Sequence, residues 1–216
     1  MAFVDELTAE NRARAYDLLA AVFGSAPTEE STGALASLAQ AFGITCPDHL
    51  SLAEVRRDFM DLFVVPNPRY VAPYESVYRD DRQNPGANGN APRSAGLLMG
   101  NSTLAVRQAF MDAGVRPLRD LPDHIANELR LISHLWHVEA CGHSEQALEA
   151  ARQRGHFVAE HLLCWIGELR EKIAHSSETG FYRAALEAAE ALLDAESASG
   201  QARRERVRQE ACPQPG

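Results

Sequence analysis

Pro66-Asn67-Pro68-Arg69-Tyr70-Val71-Ala72-Pro73-Tyr74-Glu75-Ser76-Val77-Tyr78-Arg79-Asp80 is the main aromatic interruption in a chain that otherwise reads as one helix after another. Three prolines fix their own φ and push the residues before them toward extended backbone, so the stretch is predicted to be non-helical. Tyr70, Tyr74 and Tyr78 accompany them. A stiff aromatic loop on a rigid scaffold reads as a packed connector or as a binding segment, because tyrosine offers wide contact area and a polar handle at small entropic cost. It is read together with Leu121-Pro122-Asp123-His124-Ile125-Ala126-Asn127-Glu128-Leu129, where Pro122 is predicted to open a helix. That helix carries the core stripe Ile125, Leu129, Ile132 and Trp136 and ends at Gly142.

Working outward, Thr8 is placed to cap a first helix with Ala13, Tyr16, Leu19, Ala20 and Phe23 at helical spacing, stopped by Gly24. Residues 29–42 read as a second helix ending at Gly43, and Ser51 with Glu54 forms a capping box for a third that carries Val55, Phe59, Leu62 and Phe63. Asn84 to Pro92 is a breaker-rich stretch, predicted exposed and mobile. Helical periodicity resumes over residues 94–113, through Leu97, Leu98, Leu104 and Phe110. After Gly142, Ser144 begins another run that Gly155 weakens or breaks before Phe157, Leu162 and Trp165, and a last amphipathic run spans about residues 178–197. Nothing alternates polar and apolar over strand length and no repeat recurs at a fixed period, which predicts an all-α, single globular multi-helix bundle. The domain is placed at residues 1–198, with 199–216 a disordered tail.

A chain of 216 residues with 45% hydrophobic content supports one core. Its formal charge of −9 argues against nucleic acid and toward a partner that is cationic where it touches. There is no apolar run of about 18 residues, and Asp5 and Glu6 stand where a signal peptide needs basic residues, so the expectation is a cytoplasmic protein without stable membrane insertion. Cys46, Cys141, Cys164 and Cys212 form no paired motif and read as reduced thiols.

Chemistry-bearing patterns are few. There is no phosphate loop, nucleophile elbow or Cys-x-x-Cys set, and neither catalysis nor a cofactor is expected. His134, His137 and Cys141 fall three and four apart on one helix face, and His161 with Cys164 repeats the spacing, which leaves open a helical metal- or cofactor-binding protein. The same face carries Arg130 and lies opposite the core stripe, as an ordinary solvated face does. Asp123 and His124 are adjacent, hence about 100° apart on a helix, and cannot form a nucleophile-base couple. As a first-turn residue Asp123 also reads simply as an acid favoured by the helix dipole. A structural adaptor that binds a folded partner through its aromatic loop is a third reading.

Pro73-Tyr74-Glu75-Ser76-Val77-Tyr78, followed by Leu121-Pro122-Asp123-His124 and a helix bearing Glu128-Leu129, resembles the TorD/DmsD/NarJ family of redox-enzyme maturation chaperones. Phe157 to Trp165 and Phe181-Tyr182-Arg183-Ala184 look like that family's later helices. The resemblance implies an all-helical cytoplasmic chaperone that binds the twin-arginine leader and apo form of a molybdenum-cofactor oxidoreductase subunit, as monomer or homodimer, and delays its export until the cofactor is in. It further implies that Pro73 and Tyr74 line the leader pocket, with Asp123 and His124 at the acidic and imidazole positions and Phe59 and Phe63 in the pocket wall. A basic patch followed by an apolar stretch needs an apolar groove rimmed by carboxylates. Asp123 or Glu75 would fork one guanidinium, and the tyrosine faces, Tyr78 included, would stack on the other.

Overall fold

Thr8 accepts the N–H of Asn11 at 3.2 Å and starts α1, Ala9–Gly24. α2, Glu29–Ala41, opens on a reciprocal box between Thr28 and Ser31, and ends where Gly43 takes φ +68°. Ser51 and Glu54 form the box of α3, Leu52–Phe59, which widens into a π turn over Met60–Val64. α4 is Glu75–Gln83, α5 Asn101–Asp112, α6 Ile125–Cys141 and α7 Ser144–Glu160. A short 3-10 turn at Leu162–Cys164 leads into α8, Ile166–Ser176, and α9 runs Phe181–Ala211. This computed structural model describes residues 7–47, 50–83, 100–119 and 121–211, without the side chains of 81–83 and 199–211. Among the described residues the fold is all-α, with no strand and one isolated two-residue bridge between Tyr74 and His124. No helix among them is long and apolar enough to cross a membrane.

α1 and α6 form the most extensive helix pair and carry the middle of the core. Tyr16, Leu19, Ala20 and Phe23 on α1 and Ile125, Leu129 and Ile132 on α6 are at most 1% exposed, each large side chain contributing about 1.5–3 kcal/mol of burial. The pair closes at Gly24, where an added Cβ would lie 3.2 Å from that of Ala126. α9 lays Tyr182, Ala185, Leu186, Ala189 and Leu193 into the same core.

Several elements depart from the expectations drawn from the sequence. The aromatic stretch is extended only to Tyr74; helix α4 begins at Glu75, because nothing after Pro73 lacks an N–H or restricts φ. Pro122 does not open α6: the helix starts at Ile125, with His124 as its cap. Gly155 sits inside an unbroken α7, its cost of about 1 kcal/mol outweighed by the burial of Arg154, Phe157 and Val158 around it. The real break falls at His161, and α8 is a separate helix. α9 continues past residue 199 to Ala211 through Gln201, Ala202, Arg203, Arg204 and Glu205, all good helix formers. Asn84 to Pro92, Leu97, Leu98 and Cys212 lie outside the described residues.

Candidate functional site

The extended segment between α3 and α4 is fixed at every few residues. Asn67 donates from its side-chain amide to the carbonyls of Asp61 (2.8 Å) and Val65 (2.7 Å), and Val71 returns its N–H to Leu62 O at 2.8 Å. Arg69 pins the loop to the far end of the bundle: it reaches Asp58 (2.5 Å), Asp61 (2.9 Å), Glu178 (3.0 Å) and the carbonyl of Ser176 (2.8 Å). Asp58, 1% exposed, also accepts from the hydroxyls of Ser177 (2.5 Å) and Thr179 (2.7 Å) and so holds the turn that starts α9. Tyr78 closes the segment with a bond from its hydroxyl to Ala72 O at 2.8 Å, and burial raises the pKa of that hydroxyl.

The two motifs then meet. Glu75 donates its N–H to Asp123 O and Ile125 donates to Pro73 O, both at 2.9 Å, while the Tyr74 ring stands edge-on to the His124 ring at 5.1 Å. Asp123, 0% exposed, is turned inward, where Oδ2 accepts the N–H of Ser76 at 3.1 Å and caps α4 from outside its own segment. Its Oδ1 has no hydrogen-bond partner. His124 Nδ1 accepts the N–H of Ala126 at 3.0 Å, and burial together with the Arg119 charge lowers its pKa to about 3, so the ring is neutral.

Behind the bridge lies a buried acid pair. Glu75, 0% exposed, is bonded to Arg79 one turn on and to His161 Nδ1 at 2.9 Å. Glu128 accepts from Trp165 Nε1 at 3.1 Å; burial and the Glu75 charge push its pKa well up. These groups fasten α4, α6, α7 and the turn before α8 to one another.

Of the residues expected to meet a ligand, Pro73, Glu75, Tyr78, Asp123, His124 and Phe59 are buried, and Tyr74 and Phe63 are half-buried. Phe59, Phe63, Phe23 and Tyr182 form one aromatic cluster with centroids 5.0–6.3 Å apart. What the chain offers outward is beside them: Met60, Val64, Val65 and Tyr70 are 40–48% exposed. An open groove of about 790 Å³ adjoins Tyr70 and Val71, with Glu168, Glu171 and Lys172 on its wall. Asp61 and Glu178 around Arg69 add two more carboxylates, so acids outnumber bases along this flank.

Neither the exposed π-turn residues nor the ties made by Asp58 and Arg69 were evident from the sequence, and His161, read there with Cys164 as a repeated ligand spacing, binds Glu75 instead. Their partners lie on other elements, and the only local signal is the apolar pair Val64-Val65 directly before Pro66. The alternative built on His134, His137 and Cys141 is not supported: His137 faces Asp17 at 3.4 Å, Cys141 is exposed, and among the described residues no three His, Cys, Asp or Glu side chains converge to hold a metal. Among the described residues Cys46, Cys141 and Cys164 form no disulfide.

Residues 25–171 match the family described as nitrate reductase delta subunit. The chain is 29% identical over 144 residues to a protein of Vibrio cholerae named chaperone protein TorD, covering 65% of this chain and 59% of the relative. It is 28% identical over 137 residues to the chaperone protein TorD of Shewanella pealeana, covering 62% of this chain and 55% of that one. The match thus spans less than two thirds of these relatives' length. With more than half its residues inside the family match and the Pro73-Tyr74 and Asp123-His124 motifs joined in space, the chain belongs to the nitrate reductase delta subunit family, that of TorD, DmsD and NarJ.

Proposed function

We propose that this protein is a cytoplasmic chaperone, not an enzyme, that binds the twin-arginine leader of an apo molybdoenzyme subunit and assists its maturation before export. The observation that carries the reading is the joining of the two motifs beside an exposed apolar strip with a carboxylate surplus. Family membership and the relatives' names support the chaperone role. The leader's apolar stretch lies over Met60, Val64, Val65 and Tyr70 and against the half-buried rings of Phe63 and Tyr74, which supplies most of the affinity. Its arginine pair turns to Asp61, Glu178, Glu168 and Glu171, which fix orientation and speed association. Pro73, Phe59 and Tyr78 back the strip from beneath. Asp123, His124 and Glu75 act from behind, holding Tyr74 at its angle rather than touching the leader.

The test is a fluorescence titration of the full chain with twin-arginine leader peptides, with their Lys-Lys versions and with scrambled controls. Ordered leaders bind tightest, Lys-Lys versions more weakly because lysine lacks the bidentate fork, and scrambled peptides least. Equal binding by leader and scramble removes the proposal.

A further inference from the structure

A second groove, of about 890 Å³, opens between the end of α5, the middle of α6 and the first turns of α7. Its position along α6 separates it from the Tyr74–His124 bridge: Val138 in its floor is 14 residues past His124, about 21 Å at 1.5 Å per residue. The floor is apolar, built from Ala113 and Val138, and one wall raises Leu148, 55% exposed. Isolated exposed apolar residues are ordinary on a protein surface, but Leu148 shares this groove with Ala113, Leu135, Val138 and Ala150, which makes the apolar lining contiguous.

The rim is acidic. Asp112, Glu145 and Glu149 line it, against the single cation Arg152. Arg152 is held by Glu149 through bonds of 2.8 and 2.6 Å, so that pair is answered within α7. Asp112 takes only the neutral amide of Gln108, at 2.7 Å, and among the described residues Glu145 forms no ion pair. Two negative charges on different helices, at the end of α5 and the start of α7, therefore stand on the groove without an ion-pair partner among the described residues. His134 adds no positive charge, since burial keeps its ring neutral at pH 7.

We propose that this groove docks a cationic amphipathic helix of a partner protein, with apolar anchors at i, i+3 or i+4 and i+7 over Ala113, Val138 and Leu148 and lysines or arginines at Asp112 and Glu145. Its walls are themselves helices, whose side-chain ridges accept a third helix. The charges set the register of the ligand and the apolar floor holds it. An acidic or neutral helix would leave Asp112 and Glu145 facing like charge or nothing.

The experiment is fluorescence anisotropy of the full chain against a synthetic 16-residue peptide of Leu, Ala and Lys with its leucines on one helical face. An isomer with the same residues dispersed round the helix is the control for charge alone. The facial peptide should bind about tenfold or more tighter than the isomer, a difference of about 1.4 kcal/mol. Leu148→Asp, a change at an exposed position, should abolish that preference while leaving twin-arginine leader binding intact. Glu145→Lys should weaken the facial peptide and flatten its salt dependence, and Tyr74→Ala should leave it unchanged. Equal binding of the two isomers, or an unaltered preference in Leu148→Asp, overturns the proposal. So does a change of sedimentation mass rather than peptide affinity in the groove variants, which makes the occupant a second copy of this chain.

Discussion

Ser76 donates its backbone N–H to the Asp123 carboxylate at 3.1 Å, so helix α4 is capped by a residue 47 positions further along the chain. The aromatic loop and the turn before α6 are in consequence one structural unit: Asp123 holds the start of α4, and the bridge beside it sets the angle of Tyr74.

Asp123→Ala leaves a buried N–H without an acceptor, and stability should fall by about 1–3 kcal/mol, with Tm lowered by about 2–4 °C for each kcal/mol. Asp123→Asn keeps an acceptor for Ser76 and should cost less. Urea denaturation of the two variants checks the ranking, and wild-type melting of Asp123→Ala would show that the cap contributes nothing.

Glu128 has its pKa raised in the folded chain, so its protonated form fits the core and the stability it allows is lost as pH rises from the ordinary carboxylate range through the raised value. Glu128→Gln mimics the protonated acid. The variant should match the wild type near pH 4.5 and exceed it increasingly toward pH 8, each tenfold change in proton affinity being worth about 1.4 kcal/mol. Denaturant midpoints across that range decide it.

For His124 the sign is reversed, because its pKa is depressed to about 3 while the unfolded imidazole titrates near 6.5. Between those values the unfolded chain binds the extra proton, so stability falls as pH drops through the window, by up to about 1.4 kcal/mol per pH unit. His124→Asn, which retains a side-chain acceptor for the Ala126 N–H, should remove this slope and leave that of Glu128 in place. An unchanged acid limb in the variant counts against the assignment.

Val64→Asp alters an exposed position and should leave melting within about 0.5 kcal/mol of wild type while weakening leader binding. Tyr74→Ala should weaken it as well, and that loss should persist in high salt. Asp61→Asn combined with Glu178→Gln should weaken binding at low salt alone, where rim charges are unscreened. Isothermal titration at two salt concentrations separates the two kinds of contact.

Removing residues 200–216 should leave a cooperative melt, whereas ending the chain before Glu196 should not. Glu196 is 6% exposed and accepts from Trp136 Nε1 (2.6 Å), Arg154 Nε (2.8 Å) and the Tyr16 hydroxyl (3.4 Å). Arg154 lies 3.3 Å above the Trp136 ring, so losing Glu196 strips a buried guanidinium of one of its carboxylates, a change worth about 3–5 kcal/mol.

Elements governed by neighbours in sequence were legible from the chain alone. Thr8, the Ser51–Glu54 box and Gly43 act within one helical turn, and the stripes of α1 and α6 follow from a 3.6-residue period. Asp123 was not legible, since first-turn acid and external cap look identical until α4 is placed against it. Gly155 misled because its penalty is local and the burial that overrides it is tertiary. Asp58, Arg69 and Glu196 read as surface charges by type, and only their partners on α8, in the turn before α9 and on α1, α6 and α7 reveal them as ties between elements. The two motifs meet at the Tyr74–His124 bridge, while the outward-facing residues beside them, Met60 and Val64, belong to a π turn, with Val65 as its cap, that no periodicity announces.

The pairing of α1 with α6, and of Tyr16 with Glu196 across 180 positions, also dictates an order of assembly. During synthesis α1 leaves the ribosome without its principal mate, α6, which follows more than a hundred residues later; the polar knot around Trp136 closes only when α9 arrives. Such distant contacts pay their loop-closure entropy before any reward, which makes the last step slow and leaves the nascent amino-terminal helices in need of shelter. A protein proposed to guard another unfinished chain thus closes its own core only when α9 arrives.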